Sequence, residues 1–113
     1  MYRDRLIGDA RETWLYSKPI TEDEARQYAI IVQQHCSALN GTEPDVYFTG
    51  RTTSRRMGCC YPDGRILLNK DGENWGTLAH ELAHLGDHSV NHNYGYYEAH
   101  LEVLDMMEAM ANS

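Results

Sequence analysis

The segment His80-Glu81-Leu82-Ala83-His84 has the residue types and the spacing of a metal site on a helix. Side chains four residues apart project from the same face of a helix, so the two imidazoles can bind one metal ion at about 2.0–2.1 Å. Glu81 lies beside the pair and can take a proton from a water molecule that the metal has made more acidic. The segment therefore predicts two zinc ligands, His80 and His84, and a general base, Glu81.

The bare HExxH pattern also occurs by chance, and its simplest alternative is a pair of surface histidines on an amphipathic helix. The surrounding residues favour the metal site. Both histidines lie off the apolar stripe of the predicted helix, which is formed by Trp75, Leu78, Ala79 and Leu82.

A catalytic zinc ion usually needs a third protein ligand and one position open to water. Residues that could supply this ligand follow the motif closely, and they are His88, His92, Glu98, His100 and Glu102. Gly86 should end the helix, so the direction of His88 is undetermined, whereas His92 lies in the loop that turns the chain back. Spacing alone does not choose among the five.

Two helices are predicted before the metal site. The first dozen or so residues form a short helix with Leu6, Ala10 and Trp14 on one side. A second helix begins at a capping box made by Thr21 and Glu24, and its apolar residues continue at helical spacing to Leu39. Asn40-Gly41 should end it, because both residues tolerate left-handed backbone geometry.

The middle of the chain predicts three strands, at 46–49, 56–61 and 65–69, because β-branched and aromatic residues alternate with turn residues there. Pro62-Asp63-Gly64 joins the last two strands in a hairpin. A helix from Trp75 to Gly86 then carries the HExxH motif, and a final helix runs from about Tyr94 to about Ala111. The fold class is therefore α+β: an N-terminal helix, a small, mainly antiparallel three-stranded sheet, the HExxH helix and a C-terminal helix.

The 113 residues form one domain, with 1–18 as an N-terminal extension and 19–113 as the core. The three cysteines lack the paired spacing of a structural zinc site and are expected to be reduced thiols: Cys36, Cys59 and Cys60. The net charge of −7 disfavours a nucleic-acid partner, although a local basic patch is formed by Arg51, Arg55 and Arg56.

No segment reaches the roughly 20 apolar residues that cross a bilayer, so we expect no membrane partner. The charged start of the chain has no apolar core of a secretory signal. A cytoplasmic location is therefore expected.

Several weaker motifs around HExxH occur together and in a fixed order. Gly58-Cys59 precedes Gly64-Arg65-Ile66-Leu67-Leu68-Asn69, which is followed by Leu78 to Leu85 and then by His92 with Tyr96 four positions later. Over about residues 45 to 108 the chain resembles the SprT-like and related minimal metallopeptidases, the minigluzincins. This resemblance implies a minimal zincin-like fold, peptide-bond hydrolysis and a protein or peptide substrate held by strand addition to the hairpin.

The resemblance also implies that His92 is the third zinc ligand, with Glu98 and His88 as the alternatives. Tyr96 stands where the family usually has phenylalanine. Two other tyrosines of this segment, Tyr94 and Tyr97, are candidate donors to an oxyanion, although ordinary packing is the simpler interpretation.

Two other functions remain open from the sequence. The domain could bind metal and partners without cleaving them, as an assembly module, although an intact Glu81 argues against this. It could also hydrolyse a non-peptide amide, which requires the same metal centre and a different pocket. No cysteine-rich ribbon follows the domain, so a DNA-linked role known for some relatives is not favoured.

Overall fold

The structure is a computed structural model that describes residues 10–36, 39, 42–52, 56–86 and 94–112. Its elements, in chain order, are α1 (Ala10–Tyr16), α2 (Glu22–His35), β1 (Asp45–Phe48), β2 (Gly58–Cys60), β3 (Arg65–Leu68), a 3-10 turn at Lys70–Gly72, α3 (Trp75–Gly86) and α4 (Tyr94–Ala111). The predicted α+β class is confirmed, since helices pack against one face of a small three-stranded sheet.

The sheet is mixed, with strand order β1-β3-β2. The β2–β3 pair is the predicted antiparallel hairpin, in which Cys59 lies opposite Leu67. The β1–β3 pair is parallel, with Val46 opposite Ile66. Strand β3 is therefore central, and among the described residues the two outer strands each have one edge without a neighbouring strand.

The turn of the hairpin follows from its sequence. Gly64 has a φ of 102°, a conformation that residues with a Cβ rarely adopt. The Asp63 carboxylate accepts a hydrogen bond from the Arg65 backbone N–H at 3.1 Å, which is the local bond that favours aspartate in turns. The turn fixes the register that places β2 along β3.

Helix α1 differs from its prediction in the residue that reaches the core. Trp14 is 37% exposed and lies under the ammonium group of Lys18, whereas Leu15 is fully buried. A segment of seven residues with adjacent apolar side chains does not determine which side faces inward, so packing against α3 decides it. The predicted contribution of Leu6 lies outside the described residues.

Helix α2 begins as predicted and ends earlier than predicted. The Thr21 hydroxyl accepts from the Glu24 backbone N–H, and the Glu24 carboxylate accepts from the Thr21 backbone N–H. The helix ends at His35 because Cys36 adopts extended geometry, with φ −106° and ψ 107°. Leu39 is still fully buried, so the hydrophobic pattern continued past the end of the helix.

Helix α3 occupies the centre of the molecule and contacts all the other helices and two strands. Its apolar residues are buried as predicted, and they meet the inward side chains of the sheet, Val46, Ile66 and Leu68. In the described part of the chain, no helix combines the length and apolar character needed to cross a membrane.

We expect Thr21→Ala to lower the free energy of unfolding by about 1 kcal/mol, because the Glu24 backbone N–H then loses the hydroxyl that accepts its hydrogen bond. Urea unfolding followed by circular dichroism measures the change. Thr52→Ala, at an exposed position outside any helix, serves as the control and should change stability by less than about 0.5 kcal/mol. Equal effects of the two substitutions would show that the cap contributes nothing.

Candidate metal and catalytic site

The start of helix α3 is fixed by contacts with the chain that precedes helix α2. The Asn74 side-chain oxygen accepts a hydrogen bond from the Thr77 backbone N–H at 2.7 Å, which caps the helix. The Trp75 N–H donates to the Lys18 carbonyl, and Asn74 forms a bridge with Pro19. These bonds set where the motif residues, one to two turns further along, meet the sheet and helix α4.

The two motif histidines lie together on one side of α3. Their ring centroids are 5.4 Å apart, and the ring planes are inclined at 75°. Rings at this separation allow one nitrogen of each to reach a single ion at a Zn–N distance of about 2.0–2.1 Å. Both side chains are half-buried, so the pair lies at the boundary between the core and solvent.

Tyr96 of helix α4 contacts both histidines. Its ring centroid lies 4.5 Å from that of His84. Its hydroxyl oxygen is 2.9 Å from Nδ1 of His80 and 3.1 Å from the His80 backbone carbonyl oxygen. The tyrosine is fully buried, so it supports the histidine pair from the side of the core.

The side chain of Glu81 is largely shielded from solvent, between its own helix α3 and the sheet. The residue is 7% exposed. Burial raises the pKa of its carboxyl from the usual 4.5 to about 7, and the positive charge of Arg56 acts in the opposite direction. A carboxyl with a pKa near neutrality accepts and returns protons readily at the pH of a cell.

Strand β2 passes directly over Glu81 because it has a glycine there. A Cβ built on Gly58 would lie 3.1 Å from Cγ of Glu81 and 3.0 Å from Cδ2 of Leu68. Any larger residue would have to displace one of these groups. The glycine therefore brings the backbone of an outer strand next to the candidate base.

The outward-facing backbone groups of β2 belong to Gly58 and Cys60. The Tyr61 N–H donates to the Arg65 carbonyl, and the Met57 carbonyl accepts from the Asn69 N–H, so the odd-numbered residues bond to β3. In an antiparallel pair the intervening residues direct their N–H and C=O groups the other way. This edge of the sheet lies beside Glu81.

The opposite edge of the sheet is occupied by side chains of helix α2. The Val46 carbonyl accepts from Nε of Arg26 at 2.9 Å, and the Phe48 N–H donates to the Glu22 carboxylate at 2.7 Å. These are two of the outward backbone groups of β1, so side chains of α2 cover part of that edge and hinder pairing with a further strand.

The candidate third ligands have different positions. His88 and His92 lie outside the described residues, as does the side chain of Tyr94. Glu98 is exposed, and it is two residues, or about 200° of helical rotation, from Tyr96, which faces the histidines. Among the described residues no three histidine, cysteine, aspartate or glutamate side chains are close enough to hold a metal ion.

Tyr97 and His100 are both buried on helix α4. Tyr97 belongs to the hydrophobic core, a position that suits the packing interpretation better than donation to an oxyanion. His100 lies one turn after Tyr96, and its ring centroid is 5.8 Å from that of His80. His100, one of the five candidate third ligands, is therefore buried next to His80.

The cysteines are free thiols, as the sequence predicted. Burial, and next the negative charge of Glu81, raises the pKa of the Cys60 thiol to about 12. Cys60 therefore stays protonated at neutral pH in the metal-free chain, which makes it a poor nucleophile there. In the predicted basic patch, Arg51 and Arg56 are exposed, and Arg55 lies outside the described residues.

Comparison with known proteins adds no assignment. The chain matches no protein-family model, and no curated protein and no solved structure is significantly similar to it. The resemblance to SprT-like metallopeptidases stays a prediction from the motifs.

The sequence did not reveal the role of the Tyr96 hydroxyl or of Gly58. The sequence identified Tyr96 only as an aromatic residue. Its hydroxyl, which a phenylalanine lacks, was the feature that could have indicated a hydrogen-bonding role. Gly58 was noted as part of a motif, but its approach to Glu81 depends on the position of α3 against the sheet. A contact between elements that are far apart in the sequence produces no periodic pattern in the residues of either element, so it cannot be predicted from such patterns.

We expect the metal-free Glu81→Gln variant to be more stable than the wild type above pH 7. The folded-state pKa of about 7 exceeds the usual 4.5, so wild-type stability is fully present below pH 4.5 and falls as the pH rises through 7. The loss amounts to roughly 3 kcal/mol, and the uncharged amide avoids it.

Urea unfolding of both proteins between pH 4.5 and 8, with a chelator present, measures this difference. Glu98→Gln, which removes an exposed carboxylate from helix α4, is the control and should show little pH-dependent difference from the wild type. A constant difference between Glu81→Gln and wild type across the range would contradict the raised pKa.

Proposed function

We propose that the chain is a zinc-dependent metallopeptidase of the SprT-like type, acting on protein or peptide substrates. The observation that carries the proposal is the buried carboxylate of Glu81, which lies on the same helical turn as His80 and His84 and beside an outer strand. Two surface histidines on an amphipathic helix would require neither the buried acid nor the glycine that makes room for it.

The residues fit a zinc ion in their chemistry. Two imidazoles on one helical turn, one of them hydrogen-bonded by Tyr96, form the ligand pair of an HExxH site with an outer support for one ligand. We propose His92 as the third ligand, within the segment 87–93, and Glu98 is disfavoured by its exposure. Zinc held by these residues would supply Lewis-acid chemistry that makes a water molecule more acidic and polarises a carbonyl group.

Glu81 performs the proton transfers in the proposed reaction. Its carboxylate accepts a proton from the attacking water molecule, and the carboxylic acid then donates that proton to the amine that leaves when the C–N bond breaks. The pKa of about 7 suits both directions, because neither protonation state is strongly favoured near neutral pH.

The outer edge of β2, which pairs with no strand among the described residues, supports a peptide as the substrate. An extended peptide can pair with the outward groups of Gly58 and Cys60 through its main chain, which places a peptide bond near Glu81. Main-chain pairing requires a polypeptide, so this edge favours peptide hydrolysis over hydrolysis of a small amide. The edge of β1 is partly covered by Arg26 and Glu22, so we propose β2 as the strand for such pairing.

Elemental analysis of purified protein, combined with a cleavage assay on unfolded casein, tests this function. We expect about one zinc ion per chain and measurable cleavage in the wild type. Glu81→Gln should keep the zinc and lose at least about a hundredfold in kcat, because only the base is removed. His92→Ala should lose the zinc, whereas the control Glu98→Ala should retain it.

Three results would contradict the proposal. A wild-type protein that binds no zinc after reconstitution would remove the metal centre. Loss of zinc in Glu81→Gln would make Glu81 a ligand or a structural residue and not a base. Stoichiometric zinc with no cleavage of casein or of other unfolded proteins would favour the assembly-module alternative.

A further inference from the structure

We propose that Tyr96 is a positioning residue that holds His80 in one tautomer, with the proton on Nδ1 and the lone pair on Nε2. This inference deepens the proposed function and rests on it in one respect, namely that the lone pair of His80 serves a metal ion. The tautomer itself is a property of the metal-free chain.

The geometry at the tyrosine hydroxyl is the basis for this tautomer. The oxygen lies 3.1 Å from the His80 carbonyl oxygen and 2.9 Å from Nδ1 of the same residue. A carbonyl oxygen only accepts, and a tyrosine hydroxyl has one proton to donate. When that proton bonds to the carbonyl, the bond to Nδ1 exists only if Nδ1 is protonated and donates to the hydroxyl oxygen.

The tyrosine cannot easily exchange these partners for water. Tyr96 is fully buried, and a buried hydroxyl without a partner is costly. Its ring lies against the ring of His84, with a centroid distance of 4.5 Å, and near the ring of His100, at 5.5 Å. The ring contacts hold the hydroxyl in place, so both hydrogen bonds to His80 are formed together.

The consequence for the site concerns which nitrogen faces the ion. A neutral imidazole has one lone pair, and a proton on Nδ1 leaves it on Nε2. Helix α4 thereby selects the form of His80 that can bind a metal through Nε2, before any metal arrives. Without the hydroxyl, both tautomers are populated, and part of the metal affinity is lost in selecting the competent one.

Long-range ¹H–¹⁵N NMR spectra of the full, metal-free chain at alkaline pH, where free imidazoles are neutral, test the inference directly. The ¹⁵N shifts of His80 distinguish the two tautomers, and His80→Gln assigns its signals. We expect the Nδ1–H form in the wild type and a mixture of both forms in Tyr96→Phe. Zinc titration should then show affinity about ten- to a hundredfold weaker in Tyr96→Phe.

Tyr28→Phe is the control, because it removes one hydroxyl from a half-buried tyrosine that packs against the core and against Trp75. It should leave the tautomer and the zinc affinity unchanged. An Nε2–H tautomer in the wild type would overturn the inference, without any variant being required to fold. Unchanged His80 signals and unchanged affinity in Tyr96→Phe would also overturn it.

The two proposals fail in different ways. An Nδ1–H tautomer that depends on Tyr96, in a chain that binds no zinc, would support the positioning role and refute the metallopeptidase. Zinc binding and cleavage by a chain whose His80 has the opposite tautomer would support the metallopeptidase and refute the positioning role of Tyr96.

Discussion

The close approach of strand β2 to helix α3 at Gly58 is the constraint on which the candidate site depends. With no side chain at this position, the backbone of an outer strand packs close to Cγ of Glu81 and covers the acid on that side. Burial then raises its pKa. The absence of a Cβ at Gly58 therefore affects three properties. These are the packing of β2 against α3, the protonation of Glu81, and the space beside Glu81 for the proposed peptide substrate.

Helix α4 has a complementary role on the other side of α3. It contributes no motif residue to the described site, and yet Tyr96 contacts both histidines, through a ring on His84 and a hydroxyl on His80. The motif helix is therefore held between a strand that faces its acid and a helix that faces its histidines. The geometry of the five-residue motif therefore depends on the positions of both neighbours.

Local signals predicted the elements well, and the contacts between them poorly. The capping box at Thr21, the turn at Gly64 and the amphipathic pattern of α3 each depend on residues close in sequence, so they could be recognised. The parallel pairing of β1 with β3 and the exposure of Trp14 depend on partners far along the chain. The motif residues His80, Glu81 and His84 came from a helical spacing, whereas the roles of Tyr96 and Gly58 required the packed structure.

The two sheet edges also bear on how copies of the chain meet one another. Arg26 and Glu22 bond to two outward groups of β1, whereas no described residue pairs with the outer edge of β2. Growth of a fibre by edge-to-edge pairing needs two available sides on each unit. If two copies paired through their β2 strands, a third copy would have to displace the side chains of Arg26 and Glu22 from β1 before it could add. These two side chains therefore disfavour polymerisation through the sheet.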